Sequence, residues 1–237
     1  SMKDQIVDEI VWRIPESVNY LYKNDLMLLD FMATNDWTRA VYFTSLSDIK
    51  NVLGIDKYLH QEGLSHRFIP VLASDYHKDA GGVYVEGSYE LLMADDIRWG
   101  NLNKEGVAVD PESRRNLLFV KQAYMRLAQS LLNRGQNDSA VAVLDRCLEF
   151  FPDEKIPYDF YMLAYPEIYY KAGAVEKGDE LIDVIINNCL DNLRYFNELN
   201  DRFVPYYAET IRENLAMINE MSNIASRNSR HELKMEL

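Results

Sequence analysis

Four histidines, two cysteines and a few polar clusters are the residues of this chain that could do chemistry, and their spacing limits what they can do. His60 and His66 flank Gly63 and could approach one another across a turn, while His77 and His231 stand apart. A zinc site needs four converging ligands, or three and a water. Neither HExxH nor CxxC occurs, so the histidines read as ordinary surface residues and no metal is expected. No GxSxG elbow and no glycine-rich phosphate loop is present. Gly81-Gly82 lacks a following lysine and helix start, and reads as a turn. Asp95-Asp96 resembles the acidic pair of a metal-dependent transferase only superficially, and a helix cap or exposed turn is the plainer reading. Cys147 and Cys189 sit in helical patterns among apolar neighbours. A disulfide is arithmetically possible, but buried free thiols are expected. No residue is therefore assigned a catalytic, cofactor-binding or metal role, and no cofactor is expected.

The strongest polar candidates are Asn35, Trp37 and Arg39, just before the run AVYFT, together with Arg67 in the run RFIPVL. An arginine buried beside carboxylates could orient a structural network, or bind an anionic or sugar ligand. Charged residues near strand ends commonly pair, which favours the structural role. Tyr161, Tyr165, Tyr169 and Tyr170 could line a groove, but in helical stacks such rings more often pack the core.

These residues need elements to position them. The segment Asn24–Met32 predicts a short helix capped by Asn24 or Asp25. Ala40–Thr44 predicts a buried strand. Ile49, Val52 and Leu53 suggest another helix, Tyr58-Leu59 a further short one ending at Gly63, and Arg67–Leu72 a second strand. The connection between the strands is long enough for a right-handed parallel crossover. Residues 1–75 thus read as a small α/β unit. Residues 76–112 read as an ordered linker, since Tyr84, Tyr89 and Trp99 are hard to justify in a free one. Leu91-Leu92-Met93 within it suggests a helical turn or more. From residue 113 the chain is helical to 221, with helices at 113–133, 137–150 and 158–172. A long pattern then runs from Val175 towards Met221, ended or kinked at Pro205. Residues 222–237 read as a flexible tail.

The best-patterned stretch is Tyr124–Pro152, YMRLAQSLLNRGQNDSAVAVLDRCLEFFP, which resembles a tetratricopeptide repeat. Leu127 and Ala128 would face the second helix, Leu131 would fill the next turn and Gly135 would allow a tight one. Ala140, Leu144 and Cys147 would continue the buried stripe, and Pro152 would end the unit. A weaker copy follows through Tyr165, Tyr169, Gly173 and Gly178. The Gly135-to-Gly173 spacing is 38 residues rather than about 34. The loop Asp153–Pro157 carries the excess. The expected class is α+β, mainly α: a small N-terminal α/β unit followed by a short antiparallel stack of this kind.

With 237 residues and 48% hydrophobic content the chain has room for one large domain or two small ones, each with a core. The net charge of -13 argues against a nucleic-acid partner, because phosphate binding needs clustered Lys and Arg. No run of 18 apolar residues offers a membrane span. Ser1-Met2 reads as a tag remnant and no signal peptide is seen, so the chain is expected to be a fragment of a larger protein.

The segments KNDLMLLDFMATNDWTRAVYFT (23–44), GIDKYLHQEGLSHRFIPV (54–71) and WGNLNKEGVAVD (99–110), with the helical segment 124–173, resemble the C-terminal region of the DUF2723 family of multi-span membrane proteins. That family is common in Bacteroidetes and similar to protein O-mannosyltransferases. Ala40 departs from it, since proline is more typical after the arginine. The resemblance implies an extracytoplasmic domain tethered to a membrane glycosyltransferase whose catalytic residues lie elsewhere. The expected function is then a noncatalytic interaction or scaffolding domain. Its partners would be its own membrane domain or envelope proteins. The alternative is a carbohydrate or acceptor-peptide binding module.

Overall fold

A computed structural model describes residues 6–11, 16, 19–44, 55–73, 81–200 and 202–230. These fall into two compact units, Ser1–Asp95 and Asp96–Leu237, and the fold is mainly α-helical with a small mixed sheet.

In the first unit α1 spans Lys23–Thr34. Asp25 does not cap it from the front. From the third helical position its Oδ2 accepts the Tyr22 N–H at 2.8 Å, which satisfies one amide at a helix start. Leu28, Leu29 and Met32 of α1 pack on a core of Ile55, Tyr58, Leu59 and Phe68. Beside this core lies a sheet of β1 (Val41–Phe43), β2 (Leu59–Glu62), β3 (Ser65–Phe68) and β4 (Gly82–Val83), in the order β1-β3-β2-β4.

Three expectations are corrected here. The β1 strand is an edge strand with Tyr42 exposed, not a buried one. The short helix through Tyr58 and Leu59 is instead a 3-10 turn, Asp56–Tyr58, leading into β2. Gly63-Leu64 then forms a two-residue hairpin loop into β3, with Gly63 at φ +64. Leu59-His60-Gln61-Glu62 has no alternation to announce a strand; pairing on both sides decides it. Finally, β1 meets β3 antiparallel, with Tyr42 opposite Arg67, and the parallel pair is β2 with β4. The helical pattern around Ile49 to Leu53 lies outside the described residues.

In the segment read as a linker, β4 and the helix α2 (Val85–Leu92) belong to the first unit. Ser88 Oγ donates to Gln61 O at 2.8 Å and accepts the Gly63 N–H at 3.2 Å, which fastens α2 to the β2–β3 hairpin.

The second unit contains α3 (Pro111–Asn133), α4 (Asn137–Phe150), α5 (Ala164–Ala172), α6 (Val175–Glu198) and α7 (Ala208–Arg227). Asp110 starts α3, accepting the Glu112 and Ser113 N–H groups at 3.0 and 3.1 Å, with Pro111 as the first helical residue. The expected third helix is split into a 3-10 turn at Phe160–Met162 and α5. The pattern from Val175 is two helices, α6 and α7, divided by a 3-10 turn, Val204–Tyr207, that holds Pro205. Helix α3 packs on α4, α5 packs on both, and α6 packs between α5 and α7.

Two of these helices end alike. Gly135, at φ +72, lets the Gln136 N–H reach Leu131 O at 3.0 Å while its own N–H reaches Leu132 O at 2.9 Å. Gly173, at φ +90, repeats the pattern onto Tyr169 and Tyr170. This double bond pattern satisfies carbonyls that a helix end would otherwise orphan. The α7 helix closes in the same way, but with Ser229 at φ +61.

Residues 222–227, read as tail, are therefore helical, and Ile224 and Ala225 are buried. The Arg230 guanidinium binds the Asp179 carboxylate of α6 through both Nε, at 3.0 Å, and Nη2. Ser229 has a Cβ in a conformation that suits glycine. Ser229→Gly is expected to raise stability by about 0.5–1 kcal/mol, read as a higher urea midpoint at unchanged slope; a lower midpoint would refute this account of the helix end.

Candidate functional site

The polar cluster read before β1 does not assemble as a foursome. The turn after α1 is clamped by Asn35, whose Nδ2 donates to Arg39 O at 2.8 Å, and by Thr38 Oγ1, which donates to Asn35 O at 2.7 Å. Within it Asp36 and Trp37 both take positive φ, +47 and +55, an uncommon backbone for residues with side chains. The indole of Trp37 stacks on Phe68 at 5.2 Å and 22° and remains 52% exposed. Arg39 lies 5.9 Å above the Phe31 ring. Asn35 is buried, and its Oδ1 has no hydrogen-bond partner among the described residues.

Arg67 is the neighbour of Phe68 in β3, so it projects from the opposite face of the sheet. There its Nη1 lies 3.6 Å from Glu62 Oε2, which also accepts the Tyr42 hydroxyl at 2.7 Å. This bond, with burial second, raises the Tyr42 phenol above its ordinary value. Cross-strand register parts the two histidines likewise. His60 pairs with Arg67 and His66 with Gln61, so their side chains leave opposite faces. His60 is buried, with Nε2 2.9 Å from Val71 O. Asp95 and Asp96 form an exposed turn. His77 and His231 lie outside the described residues.

Of the second unit's residues read as repeat positions, most are interior, while the helix-end glycines Gly135 and Gly173 are exposed. Leu127, Ala128, Ala140, Leu144, Cys147 and Tyr165 show no exposed surface, Leu131 and Tyr169 almost none. Pro152 is half-buried and its carbonyl starts the turn that carries Lys155 and Ile156. Asp153 Oδ1 accepts the Tyr158 N–H at 2.7 Å and Asn188 Nδ2 at 2.8 Å, tying the enlarged loop to α6. Gly178 lies under the Tyr170 ring.

The tyrosines have structural hydroxyl partners. Tyr165 donates to Lys121 O at 2.8 Å and touches Cys147 Sγ at 3.2 Å. Tyr169 donates to Asp145 Oδ1 at 2.9 Å, and Lys177 meets the other oxygen at 2.5 Å. Tyr170 donates to Asp179 Oδ1 at 2.7 Å. Tyr161 differs in being exposed.

Both thiols are free and buried. Burial pushes Cys147 up to about 12 and Cys189 up to about 11, so neither is a thiolate near neutrality. No group of three or more His, Cys, Asp or Glu that could hold a metal occurs among the described residues. No helix among them is long and apolar enough to cross a membrane.

The sequence reading missed Lys121. It has no exposed surface, and its Nζ donates to Ile156 O at 3.3 Å and lies 5.2 Å above the Tyr158 ring. Burial lowers its pKa, against the pull of Asp159. The signal available was a lone charge on an apolar helical face, between Leu117 and Tyr124. With the folded pKa below the unfolded value, the unfolded chain binds more protons in between. Stability should therefore rise as pH climbs from the lowered pKa towards about 10.4. Lys121→Met is expected to gain about 1 kcal/mol at pH 7 and to lose that advantage by about pH 10, read by urea denaturation at both. A variant less stable than the parent at pH 7 would show that the ammonium is a net stabiliser.

Comparison with known proteins adds one likeness. Residues 1–86 match the family described as TMEM260-associated domain 2. No curated protein matches, and neither does any solved structure. The resemblance to DUF2723 is thereby corrected: the domain found is a TMEM260-associated one, with no repeat or multi-span assignment beside it. The match stops at residue 86, so of the segments that carried the earlier likeness it takes in 23–44 and 54–71 and leaves out 99–110 and 124–173. The glycosyltransferase-like character inferred from that resemblance falls with it.

Proposed function

We propose that the chain is a noncatalytic interaction module. In this reading α3–α4 and α5–α6 are two tetratricopeptide-like hairpins, and α7 closes the stack. Support comes from the buried small residues Ala128 and Ala140, the recurrent glycine helix ends, and the packing of α5 on both preceding helices. Among the described residues of this unit, Cys147 and Cys189 are buried thiols and Lys121 is sealed inside.

The observation that carries the proposal is the connection between α6 and α7. Tyr195, Phe203, Tyr206 and Tyr207 are 56%, 40%, 83% and 39% exposed, and Phe196 ties Tyr195 and Tyr207 together through ring contacts at 5.5 and 5.2 Å. Exposed aromatics on rigid elements are the groups from which binding hot spots are made. Residues 1–86, outside this surface, match a family described as TMEM260-associated, so a TMEM260 protein is one partner to test. A photo-crosslinking amino acid at position 206 is expected to capture the partner, and one at the exposed Asn137 is not. Equal capture from both positions would remove this surface from the proposal.

A second reading is favoured by Trp37. Its indole, braced by Phe68 and held out by a turn with two left-handed residues, offers a flat platform for a sugar ring or an acceptor-peptide side chain.

A further inference from the structure

The second unit has a cavity of about 410 Å³ between the loop that follows residue 96 and the end of α4. That volume falls in the range of small-molecule sites, about 300–1,000 Å³. Its walls are Trp99 and Phe150, with Arg98, Gly100, Asn101 and Asn103 around them.

The aromatic wall is rigid. Trp99 meets the fully buried Phe151 edge-on at 5.2 Å and 71°, and its centroid lies 6.4 Å from that of Phe150. Arg146 lies 4.5 Å above the Phe150 ring. The polar wall is also held in place. Gly100 and Asn101 both take left-handed backbone, at φ +65 and +60. The Leu102 N–H reaches Trp99 O at 3.3 Å and the Lys104 N–H reaches Asn101 O at 2.9 Å. Lys155 reaches across to Val107 O at 3.0 Å. The side chains of Arg98, Asn101 and Asn103 have no hydrogen-bond partner among the described residues, so their donors and acceptors are available to a ligand.

These groups select a chemistry. A pyranose ring has a face of C–H bonds and a rim of hydroxyls. The C–H hydrogens suit the negative face of an aromatic ring. Each hydroxyl donates and accepts, as each asparagine amide does, and a guanidinium supplies donors alone. No carboxylate lines the cavity, although the chain carries a net charge of -13, so a cation is disfavoured. An extended peptide would call for a strand edge or a long groove, and this site is one loop against one helix end.

We infer that the Trp99 cavity is a carbohydrate subsite that takes one pyranose unit of a glycan. This goes beyond the docking reading and does not depend on it. The test uses the full chain labelled with nitrogen-15, reading the indole N–H signals, with Trp99 assigned from Trp99→Phe. Probes are the methyl glycosides of glucose, galactose and N-acetylglucosamine, with glucuronate, and acyclic mannitol as control. A saturable shift of the Trp99 signal with Kd of about 1–10 mM is expected for at least one pyranose. Asn101→Gly, which suits the left-handed backbone there, combined with Asn103→Ala should weaken it about tenfold or more at an unchanged thermal midpoint. The inference is overturned by silence at about 50 mM of every probe, by an equal response to mannitol, by a shift confined to Trp37, or by undiminished binding in the double variant.

Discussion

Gly81→Ala is expected to lower the stability of the first unit by about 3 kcal/mol or more. Gly81 sits at φ +65, where an alanine costs about 1–2 kcal/mol by itself. A Cβ there would stand 2.4 Å from Leu59 O and 3.1 Å from Asp56 O. Both obstacles are backbone, so relief needs movement of the chain at the start of β2 and β4. Those are the strands whose parallel pairing, His60 with Gly82 and Gln61 with Val83, closes the sheet. A loss of that size is a large share of a domain's usual 5–15 kcal/mol. Hydrogen exchange should show amides of Leu59–Phe68 losing protection while those of α4 and α6 keep theirs. Unchanged protection in β2 and β3 would mean that the close approach at Gly81 does not hold the sheet.

The second large effect is expected at Ala140. It has no exposed surface and lies in α4, which packs on α3, where Ala128 is equally buried. Ala140→Leu adds three carbons where a close helix approach leaves no room, and should cost about 2–3 kcal/mol. Ala142, two residues on, is half-buried and borders an open cavity of about 300 Å³ with Asp138, Asp145 and Gly173. Ala142→Leu should change stability by no more than about 0.5 kcal/mol. Chemical denaturation of the two variants checks the contrast. Similar costs at both positions would contradict the assignment of Ala140 to a tight interhelical contact.

The helical unit was legible because its punctuation is local. Asp110-Pro111, Gly135, Pro152 and Gly173 each act within one turn of where they stand, and the bounds of α4 came out as expected. The first unit was less legible because its sheet depends on non-local pairing. Nothing within Leu59–Glu62 separates a strand from a helical turn; the partners Ser65–Phe68 and Gly82–Val83 do. The same dependence undid the polar cluster. Asn35, Trp37 and Arg39 share one turn, but whether Arg67 joins them rests on the parity of one residue in β3, which no local pattern states. The Trp99 cavity draws on Phe150, far along the chain, and the sequence hinted at it only through aromatic residues in a glycine-rich stretch. Lys121 was hidden by its type, because a charge on a helix is ordinarily solvated.

In the proposed docking reading the chain binds a partner protein through the exposed aromatic residues Tyr195, Phe203, Tyr206 and Tyr207. The most direct test is the affinity of the full chain for a purified TMEM260 protein, measured beside the triple variant Phe203→Ala, Tyr206→Ala, Tyr207→Ala. A Kd of about 1–10 μM is expected for the parent chain, weakened about tenfold or more in the variant at the same thermal midpoint. No binding by the parent chain at about 100 μM, or equal binding by the variant, would contradict the claim.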